Sequence, residues 1–253
     1  MNLLAPFING PIAHRTLHDV KSGRPENSWE GLEAAISHGF AIEIDLQLSL
    51  DGIPMVFHDY KLNRVTNETG LISEKRAEEL EKIILKGGKK CIPRFDTFMS
   101  YIDGRVPVLI ELKDQDGSLG KSTSVFESAV CQTLKHYQGA VAIMSFNPFM
   151  MEECAKILPD IPRGLITEIF KQNEWTRISK SRCDELTMIS DYSLAGTTFI
   201  SHDHEDLNSH VVARLKKTGA TILCWTVRNQ NQDTLARKVA DSVTFENYLP
   251  DGF

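Results

Sequence analysis

The sequence predicts an α/β protein built as a (β/α)8 barrel with a small insertion after the second strand. Short apolar segments alternate along the chain with helical segments, and short links join them, which is typical of a parallel sheet. Polar residues that can do chemistry follow several of the apolar segments, as expected at the carboxyl ends of barrel strands. The strand candidates number eight and lie at residues 7–14, 41–46, 106–113, 140–144, 164–167, 197–201, 221–227 and 242–245.

The first predicted strand, 7–14, ends in the pair His14-Arg15. An imidazole and a guanidinium at one rim of a barrel suit an anionic ester, because both can contact its oxygens. A surface His-Arg pair without function is the alternative that this dipeptide leaves open.

A loop and a helix follow the first strand. Pro25 and Asn27 mark the loop, and Ser28 has the residue type of a helix N-cap. The helix is predicted over residues 30–38, and Gly39 ends it. The second strand then begins at once, which gives the strand, helix, strand order of a βα repeat.

The second strand carries two carboxylates, Glu43 and Asp45, between apolar residues. Because side chains alternate along a strand, both project to the same face. Two adjacent buried carboxylates repel each other and are costly to desolvate unless a positive charge lies between them. The pattern therefore predicts a bound cation, with a surface strand bearing two solvated acids as the alternative.

The insertion is predicted at about residues 48–93. It opens with the turn pair Asp51-Gly52, which could return the chain so that His58-Asp59 lies over the cation. A helix is predicted within it over 73–85, followed by a basic, glycine-containing loop at 87–90. A further short helix over 95–101 returns the chain to the barrel.

The third strand, 106–113, supplies another acid. Its apolar run ends in Glu111, and Lys113 lies two positions on, so that both side chains can face the same way. A third carboxylate at a strand end completes a set of oxygen ligands for a hard cation. An exposed Glu/Lys pair is the alternative.

The rest of the chain continues the repeat, with helices predicted over 124–136, 148–158, 171–181, 211–218 and 233–239. Trp225 lies near a strand end, where it could contact a substrate or serve as a buried structural indole. His202 and His204 stand in an acidic loop and suggest a second metal site, although such histidines are more often solvated.

Composition narrows the class of protein. The 253 residues carry a net charge of −6, which argues against a nucleic-acid partner. We expect a single domain over residues 1–253, since that length is typical of one barrel. The five cysteines form no CxxC pair and suit reduced thiols. The N-terminal stretch lacks the basic and apolar regions of a signal peptide, so a cytoplasmic protein without stable membrane insertion is expected.

Seven motifs, in order and at suitable spacing, resemble the glycerophosphodiester phosphodiesterase family along nearly the whole chain. They are His14-Arg15, Pro25-Glu26-Asn27, Glu43-x-Asp45, Asp51-Gly52, His58-Asp59, Glu111-x-Lys113 and Trp225-Thr226-Val227. The resemblance implies a TIM barrel that hydrolyses glycerophosphodiesters to sn-glycerol 3-phosphate and an alcohol. It also implies one divalent cation, Mg²⁺ or Ca²⁺.

The resemblance further implies a role for each site residue. The metal ligands are Glu43, Asp45 and Glu111. His14 and His58 are the acid/base pair, and the order of the two roles stays open. The nucleophile, either water or the substrate's own glycerol hydroxyl, also stays open. Substrate contacts are expected from Arg15, Lys113, Trp225, Glu26 and Asn27. The partner is then a small glycerophosphodiester, and a homodimer is left open.

Three departures from the family pattern stand out. Thr16 occupies a position where the family usually has Gly, so the rim loop is expected to differ locally. Arg228 stands where Asn is usual, and the usual Thr-Asp ending is replaced by the run from Thr244 to Pro250. None of these touches the implied catalytic set, but they leave the identity of the alcohol open. The alternatives are a bulkier, lysophospholipid-like phosphodiester and a non-catalytic barrel that binds phosphorylated ligands.

Overall fold

The strands of the protein form the predicted (β/α)8 barrel. The computed structural model describes residues 3–121 and 123–251. Its strands, in chain order, are β1 (Ile12–Ala13), β2 (Ala41–Leu48), β3 (Pro54–Val56), β4 (Val108–Leu112), β5 (Val141–Ser145), β6 (Arg163–Thr167), β7 (Phe199–Asp203), β8 (Thr221–Val227) and β9 (Ser242–Phe245). All of them pair in parallel except β3, which runs antiparallel to β2. Because β1 pairs with both β2 and β9, the eight parallel strands close into a barrel.

The described helices are α1 (Ala5–Ile8), α2 (Trp29–His38), α3 (Ala77–Leu80), α4 (Phe95–Ile102), α5 (Val125–Leu134), α6 (Pro148–Ile157), α7 (Lys180–Thr187), α8 (His210–Lys217) and α9 (Gln230–Ala236). The second of these, α2, begins and ends as predicted. The hydroxyl of Ser28 accepts a hydrogen bond from the N–H of Gly31, and Gly39 ends the helix with φ +71°. Short 3-10 turns cover Val20–Ser22, Ile72–Glu74 and His204–Asp206.

Two apolar cores hold the barrel together. The larger lies between strands and helices, where alternate residues of β2 such as Ile42 and Ile44 pack outward with no solvent exposure. The smaller fills the inside of the barrel and includes Phe7, Leu109 and Leu223. The strand residues that alternate with the outward-facing ones therefore point into the barrel. The polar residues among them are held at fixed positions above the apolar core inside the barrel.

The segment between β2 and α4 has an apolar cluster of its own, which includes Met55, Phe57, Leu80 and Ile92. The helix predicted over 73–85 is wrong for most of its length, since the helix there is only α3. The residues beyond it pair as isolated bridges, with Ile84 opposite Cys91 and Leu85 opposite Thr66. Pairing with distant parts of the chain thus replaces local helix formation.

Most other element boundaries lie within three residues of the prediction, and two elements differ by more. The first strand was expected over 7–14, but Phe7 lies in α1, which has Pro6 in its first turn, where proline is well tolerated. The helix expected over 171–181 begins instead at Lys180, after Ser179, whose hydroxyl accepts a hydrogen bond from the N–H of Arg182. Among the described helices, none is long and apolar enough to cross a membrane.

Candidate active site

Three carboxylates converge at the carboxyl end of the barrel. Glu43 and Asp45 project from the same face of β2, and the pairing of β2 with β4 places Glu111 directly beside Asp45. One oxygen from each lies within 4.8 Å of the others, and all three residues are buried. The sequence spacing within β2 and the parallel register between β2 and β4 together produce this cluster.

The electrostatics of the cluster fit a divalent cation. Burial raises the pKa of Glu43 well above its ordinary value, and the nearby Asp45 raises it further. Burial also raises the pKa of Glu111, against the opposing effect of Lys113. Oδ1 of Asp45 is buried without a hydrogen-bond partner among the described residues. Oxygen donors with excess negative charge suit Mg²⁺ or Ca²⁺.

Asp45 is the member of the cluster whose pKa is lowered. Burial would raise the pKa of Asp45, but the electrostatic effects of the nearby His58, Lys113 and Arg15 lower it well below its ordinary value. Nδ2 of Asn27 also donates to Oδ2 of Asp45 at 2.8 Å, and the N–H of Asp45 donates to Oδ1 of Asn27 at 3.2 Å. Asn27 therefore fixes the orientation of this carboxylate.

Arg15 and Lys113 flank the carboxylates on two sides. The backbone N–H of Arg15 donates to Glu43 at 2.9 Å, and its guanidinium pairs with Glu26 at 2.9 Å and with Asp45 at 3.5 Å. The ammonium of Lys113 lies 2.7 Å from Glu111 and 3.7 Å from Asp45. Although burial lowers the pKa of Lys113, these two carboxylates outweigh it and raise the pKa, so the ammonium remains charged.

His58 reaches the cluster from the return after β3. Its Nδ1 lies 2.7 Å from Asp59, and its Nε2 lies 3.1 Å from the ammonium of Lys113. Arg64 forms two-pronged hydrogen bonds with Asp59, at 2.7 and 2.8 Å, and with Glu26, at 2.6 and 2.7 Å. One guanidinium therefore connects the carboxylate behind His58 with the carboxylate behind Arg15.

His14 faces the cluster from β1 and has a carboxylate of its own. Its Nδ1 lies 2.6 Å from Glu246, which also accepts from His18 at 3.3 Å and from Nε of Arg228 at 2.8 Å. Burial lowers the pKa of His14, against the opposing effect of Glu246. The pKa of Glu246 lies below its ordinary value because its imidazole hydrogen bonds outweigh the effect of burial.

These contacts determine which nitrogen of each imidazole carries a proton. Glu246 and Asp59 both have lowered pKa values, are ionised, and can only accept hydrogen bonds. Nδ1 of His14 and Nδ1 of His58 must therefore be the donors. This leaves Nε2 of each ring as the atom that can exchange a proton, and in His58 this atom lies 3.1 Å from the ammonium of Lys113, which can donate to it.

Trp225 is anchored in the structure and also lines the cavity, so it combines features of the two roles that its sequence context left open. Its indole N–H donates to the backbone oxygen of Ser201 at 2.9 Å, and its ring meets Phe146 edge-on with centroids 5.6 Å apart. It also lines the cavity above the carboxylates. The indole is thus part of the wall and is anchored by the strand beside it.

Two connected cavities open over the carboxylates. The inner cavity, of about 140 Å³, is lined by both His14 and His58. The outer groove, of about 580 Å³, has mainly apolar walls that include Leu119 and Trp175. The two share the following residues: His58, Glu111, Lys113 and Phe146. A phosphodiester at the junction could therefore extend one substituent into each cavity.

Several residues of the site had not been singled out in the sequence. Glu246 follows a barrel strand and could have been found by the same strand-end signal that marked Glu111. His18 and Arg64 had no such signal, because their partners are distant in the chain. His202 is buried rather than solvated, between Thr167 at 2.7 Å and Asp206 at 3.2 Å, and these three residues are not among the metal-compatible clusters of the described chain.

Comparison with known proteins agrees with this geometry. The sequence profile of the glycerophosphoryl diester phosphodiesterase family matches residues 15–247. A glycerophosphodiester phosphodiesterase of Caldanaerobacter subterraneus is 25% identical over 249 residues, covering 92% of this chain and 91% of the relative. One of Bacillus altitudinis is 29% identical over 165 residues, covering 62% of this chain and 65% of the relative.

Solved structures show the same fold. A phosphodiesterase of Oleispira antarctica, in complex with the product sn-glycerol-3-phosphate, matches with a TM-score of 0.75 and 24% identity, covering 94% of this chain and 93% of the other. A glycerophosphodiester phosphodiesterase of Thermotoga maritima matches with a TM-score of 0.70 and 18% identity, covering 93% of this chain and 94% of the other. The chain belongs to the glycerophosphoryl diester phosphodiesterase family.

Proposed function

We propose that the protein is a metal-dependent phosphodiesterase that hydrolyses glycerophosphodiesters to sn-glycerol 3-phosphate and an alcohol. The observation that carries the proposal is a cluster of three carboxylates between two imidazoles, each of which has its own carboxylate partner. The relative that contains sn-glycerol-3-phosphate as its product supports the choice of substrate class.

Glu43, Asp45 and Glu111 would hold one Mg²⁺ or Ca²⁺. When bound, the ion supplies positive charge for the phosphate oxygens, which gain negative charge in the transition state. The guanidinium of Arg15 and the ammonium of Lys113 border the same space and add positive charge beside it. Glu26 and Asn27 then act by orienting Arg15 and Asp45 rather than by contact with the phosphate.

His14 and His58 divide the proton transfers. Water attacks phosphorus while one of its protons passes to Nε2 of a neutral imidazole, and the bond from phosphorus to the departing alcohol oxygen breaks as a second imidazole protonates that oxygen. The lowered pKa of His14 keeps it neutral and suits it to be the base. His58 borders both cavities, which supports its role as the acid for an alcohol that leaves into the outer groove.

The size of the outer groove supports a second candidate. A groove of about 580 Å³ with walls that include Phe146, Leu119 and Trp175 has room for a substituent larger than choline or ethanolamine. A lysophospholipid-like phosphodiester could place its chain there. A non-catalytic, ligand-binding barrel has less support, since every residue of the implied catalytic set is present.

The test is a coupled assay of the purified protein with Mg²⁺ or Ca²⁺. Glycerol 3-phosphate is measured from glycerophosphocholine and glycerophosphoethanolamine, and choline from lysophosphatidylcholine. We expect glycerol 3-phosphate release that stops with EDTA and returns when the ion is restored. Turnover of lysophosphatidylcholine that is faster than that of the glycerophosphodiesters would establish the second candidate. No turnover of any of these substrates would favour the non-catalytic, ligand-binding barrel.

A matched pair of variants separates the metal site from a general effect of charge. Asp45→Asn removes a proposed ligand, whereas Asp96→Asn removes one negative charge from an exposed helix terminus. We expect Asp45→Asn to be inactive and Asp96→Asn to retain the wild-type rate. Equal rates in the two variants, or activity that survives EDTA, would contradict the proposed metal site.

A further inference from the structure

Two buried hydroxyl groups line the inner cavity without a hydrogen-bond partner. Ser201 lies on β7 and Thr244 on β9, and their exposed fractions are 0% and 1%. Neither hydroxyl bonds to any residue in the part of the chain that the structure describes. Both residues nevertheless border the cavity between the two imidazoles.

The strand register explains why these hydroxyls face inward. Ser201 is the pairing partner of Ile166 on β6 and of Leu223 on β8, and both of those residues belong to the core inside the barrel. Thr244 is the partner of Ile12 of the same core. The N–H of Trp225 contacts the backbone oxygen of Ser201 and so leaves its hydroxyl free.

Unpaired buried hydroxyls destabilise a fold, because water is removed from them and nothing replaces it. The hydroxyls of Thr16 and Ser209 are also unpaired within the described chain but do not line this cavity, whereas several other buried hydroxyls are paired. That of Ser145 donates to the backbone oxygen of Leu112 at 2.7 Å, and that of Thr167 lies 2.7 Å from Nδ1 of His202. The two cavity hydroxyls therefore have the character of a binding surface for a polar ligand.

We propose that Ser201 and Thr244 bind the two free hydroxyls of the glycerol moiety and thereby determine the specificity for glycerol. This rests on the proposed function and adds to it the location of each half of the substrate. A hydroxyl group both donates and accepts, so two of them match a diol. Met144 and Ile166 line the same cavity and can contact the carbon atoms. The glycerol then occupies the inner cavity, and the departing alcohol occupies the outer groove.

The experiment measures binding of two ligands by calorimetry in the presence of Mg²⁺. The first is sn-glycerol 3-phosphate, and the second is propyl phosphate, which has the same carbon chain and phosphate without the hydroxyls. We expect the wild type to prefer the first by at least about tenfold, since a hydrogen bond contributes severalfold in affinity. Ser201→Ala and Thr244→Val should each weaken binding of sn-glycerol 3-phosphate about three- to tenfold and leave propyl phosphate binding unchanged.

Thermal unfolding without ligand gives an independent readout. Ser201→Ala and Thr244→Val remove no hydrogen bond within the described chain, so their melting temperatures should equal or exceed that of the wild type. Thr167→Val is the matched control, because it removes a paired hydroxyl outside the cavity lining. It should lower the melting temperature and leave the ligand preference unchanged.

An unchanged preference in both cavity variants, or no preference in the wild type, would overturn the inference. The outcome is separable from the proposed function. Turnover of glycerophosphocholine by a wild type without the binding preference would defeat the inference alone. A preference that depends on Ser201 and Thr244, in a protein without turnover, would defeat the hydrolase alone.

Discussion

Asp45 and Glu111 are direct neighbours across the parallel strands β2 and β4, and the ammonium of Lys113 contacts both of their carboxylates. This adjacency joins two strands that are separated in the chain by the whole insertion. It places two of the proposed ligands at a fixed distance before any ion binds.

The pairing of Glu246 with His14 predicts a specific dependence of stability on pH. The pKa of Glu246 is lowered in the folded protein, so its ionised form stabilises the fold. This contribution is complete above the ordinary value of 4.5 and is lost as the pH falls below it toward the folded-state pKa. Glu246→Gln should therefore lower the free energy of unfolding by about 1–2 kcal/mol at pH 7.

Urea unfolding of Glu246→Gln and of the wild type, at pH 7 and at pH 4, measures this difference. The two proteins should become more similar in stability at the lower pH. An equal difference in the free energy of unfolding at pH 7 and at pH 4 would contradict the prediction. It would mean that the ionised carboxylate is not stabilised by its imidazole and guanidinium partners.

Arg64 is expected to act on catalysis more than on stability. Its side chain is half-exposed, so its ion pairs should contribute less than about 1 kcal/mol to folding. Its two-pronged bonds, however, orient Asp59 behind His58 and Glu26 behind Arg15. Arg64→Lys cannot form both pairs. We expect about a tenfold loss of kcat with less than about 1 kcal/mol lost in unfolding.

The control for this variant is Arg76→Lys, since Arg76 lies in the same segment, is exposed, and pairs only loosely with Asp51 at 3.5 Å. Its steady-state kinetics should match the wild type. If Arg64→Lys also retains the wild-type kcat, the connection between the two carboxylates has no catalytic role.

Thr16 packs so closely against Gly31 that a larger residue at position 31 would clash with it. The sequence singled out Thr16 but not this contact. Thr16 has φ +70°, in the left-handed region that glycine would occupy more easily. A Cβ on Gly31 would lie 2.2 Å from the hydroxyl of Thr16. Gly31→Ala should therefore destabilise the protein by about 2 kcal/mol, although alanine favours helices.

A double-mutant cycle checks this explanation. Thr16→Gly removes the atoms that clash, so the combination with Gly31→Ala should recover most of the stability that Gly31→Ala loses. Chemical denaturation of the four proteins gives the coupling energy. Additive effects would mean that the Gly31→Ala loss has another origin.

The two histidines should respond differently to the leaving group. p-Nitrophenolate departs without protonation, whereas the alkoxide of choline needs a proton. His58→Ala should thus lose about a hundredfold or more in kcat with glycerophosphocholine and much less with a p-nitrophenyl phosphodiester. His14→Ala should lose activity with both substrates. The opposite pattern would exchange the roles of acid and base.

Much of the barrel and of the carboxylate cluster could be predicted from the sequence, because both depend on local alternation and on strand ends. Glu43 and Asp45 share a face by spacing alone, and a parallel barrel brings the end of β4 beside them. His58 followed from the turn that returns the chain. In these cases short-range pattern and global topology agree.

The positions that could not be predicted depend on contacts between distant segments. Arg228, which departs from the family pattern, pairs at 2.8 Å with Glu246 of the atypical ending, and neither segment of sequence indicates this contact. Residues 171–178 have helical composition, but Trp175 packs against Phe146 and Phe170 instead. Packing of this kind outweighs helix propensity, which amounts to less than about 1 kcal/mol per residue.

The central claim is that Glu43, Asp45 and Glu111 hold one divalent cation, and titration calorimetry tests it most directly. Mg²⁺ and Ca²⁺ are titrated into the EDTA-treated wild type, Asp45→Asn, Glu111→Gln and the control Asp96→Asn. We expect one ion per chain in the wild type and in Asp96→Asn, with affinity reduced at least about tenfold in the two ligand variants. Undiminished binding in Asp45→Asn and Glu111→Gln, or no binding in the wild type, would contradict the claim.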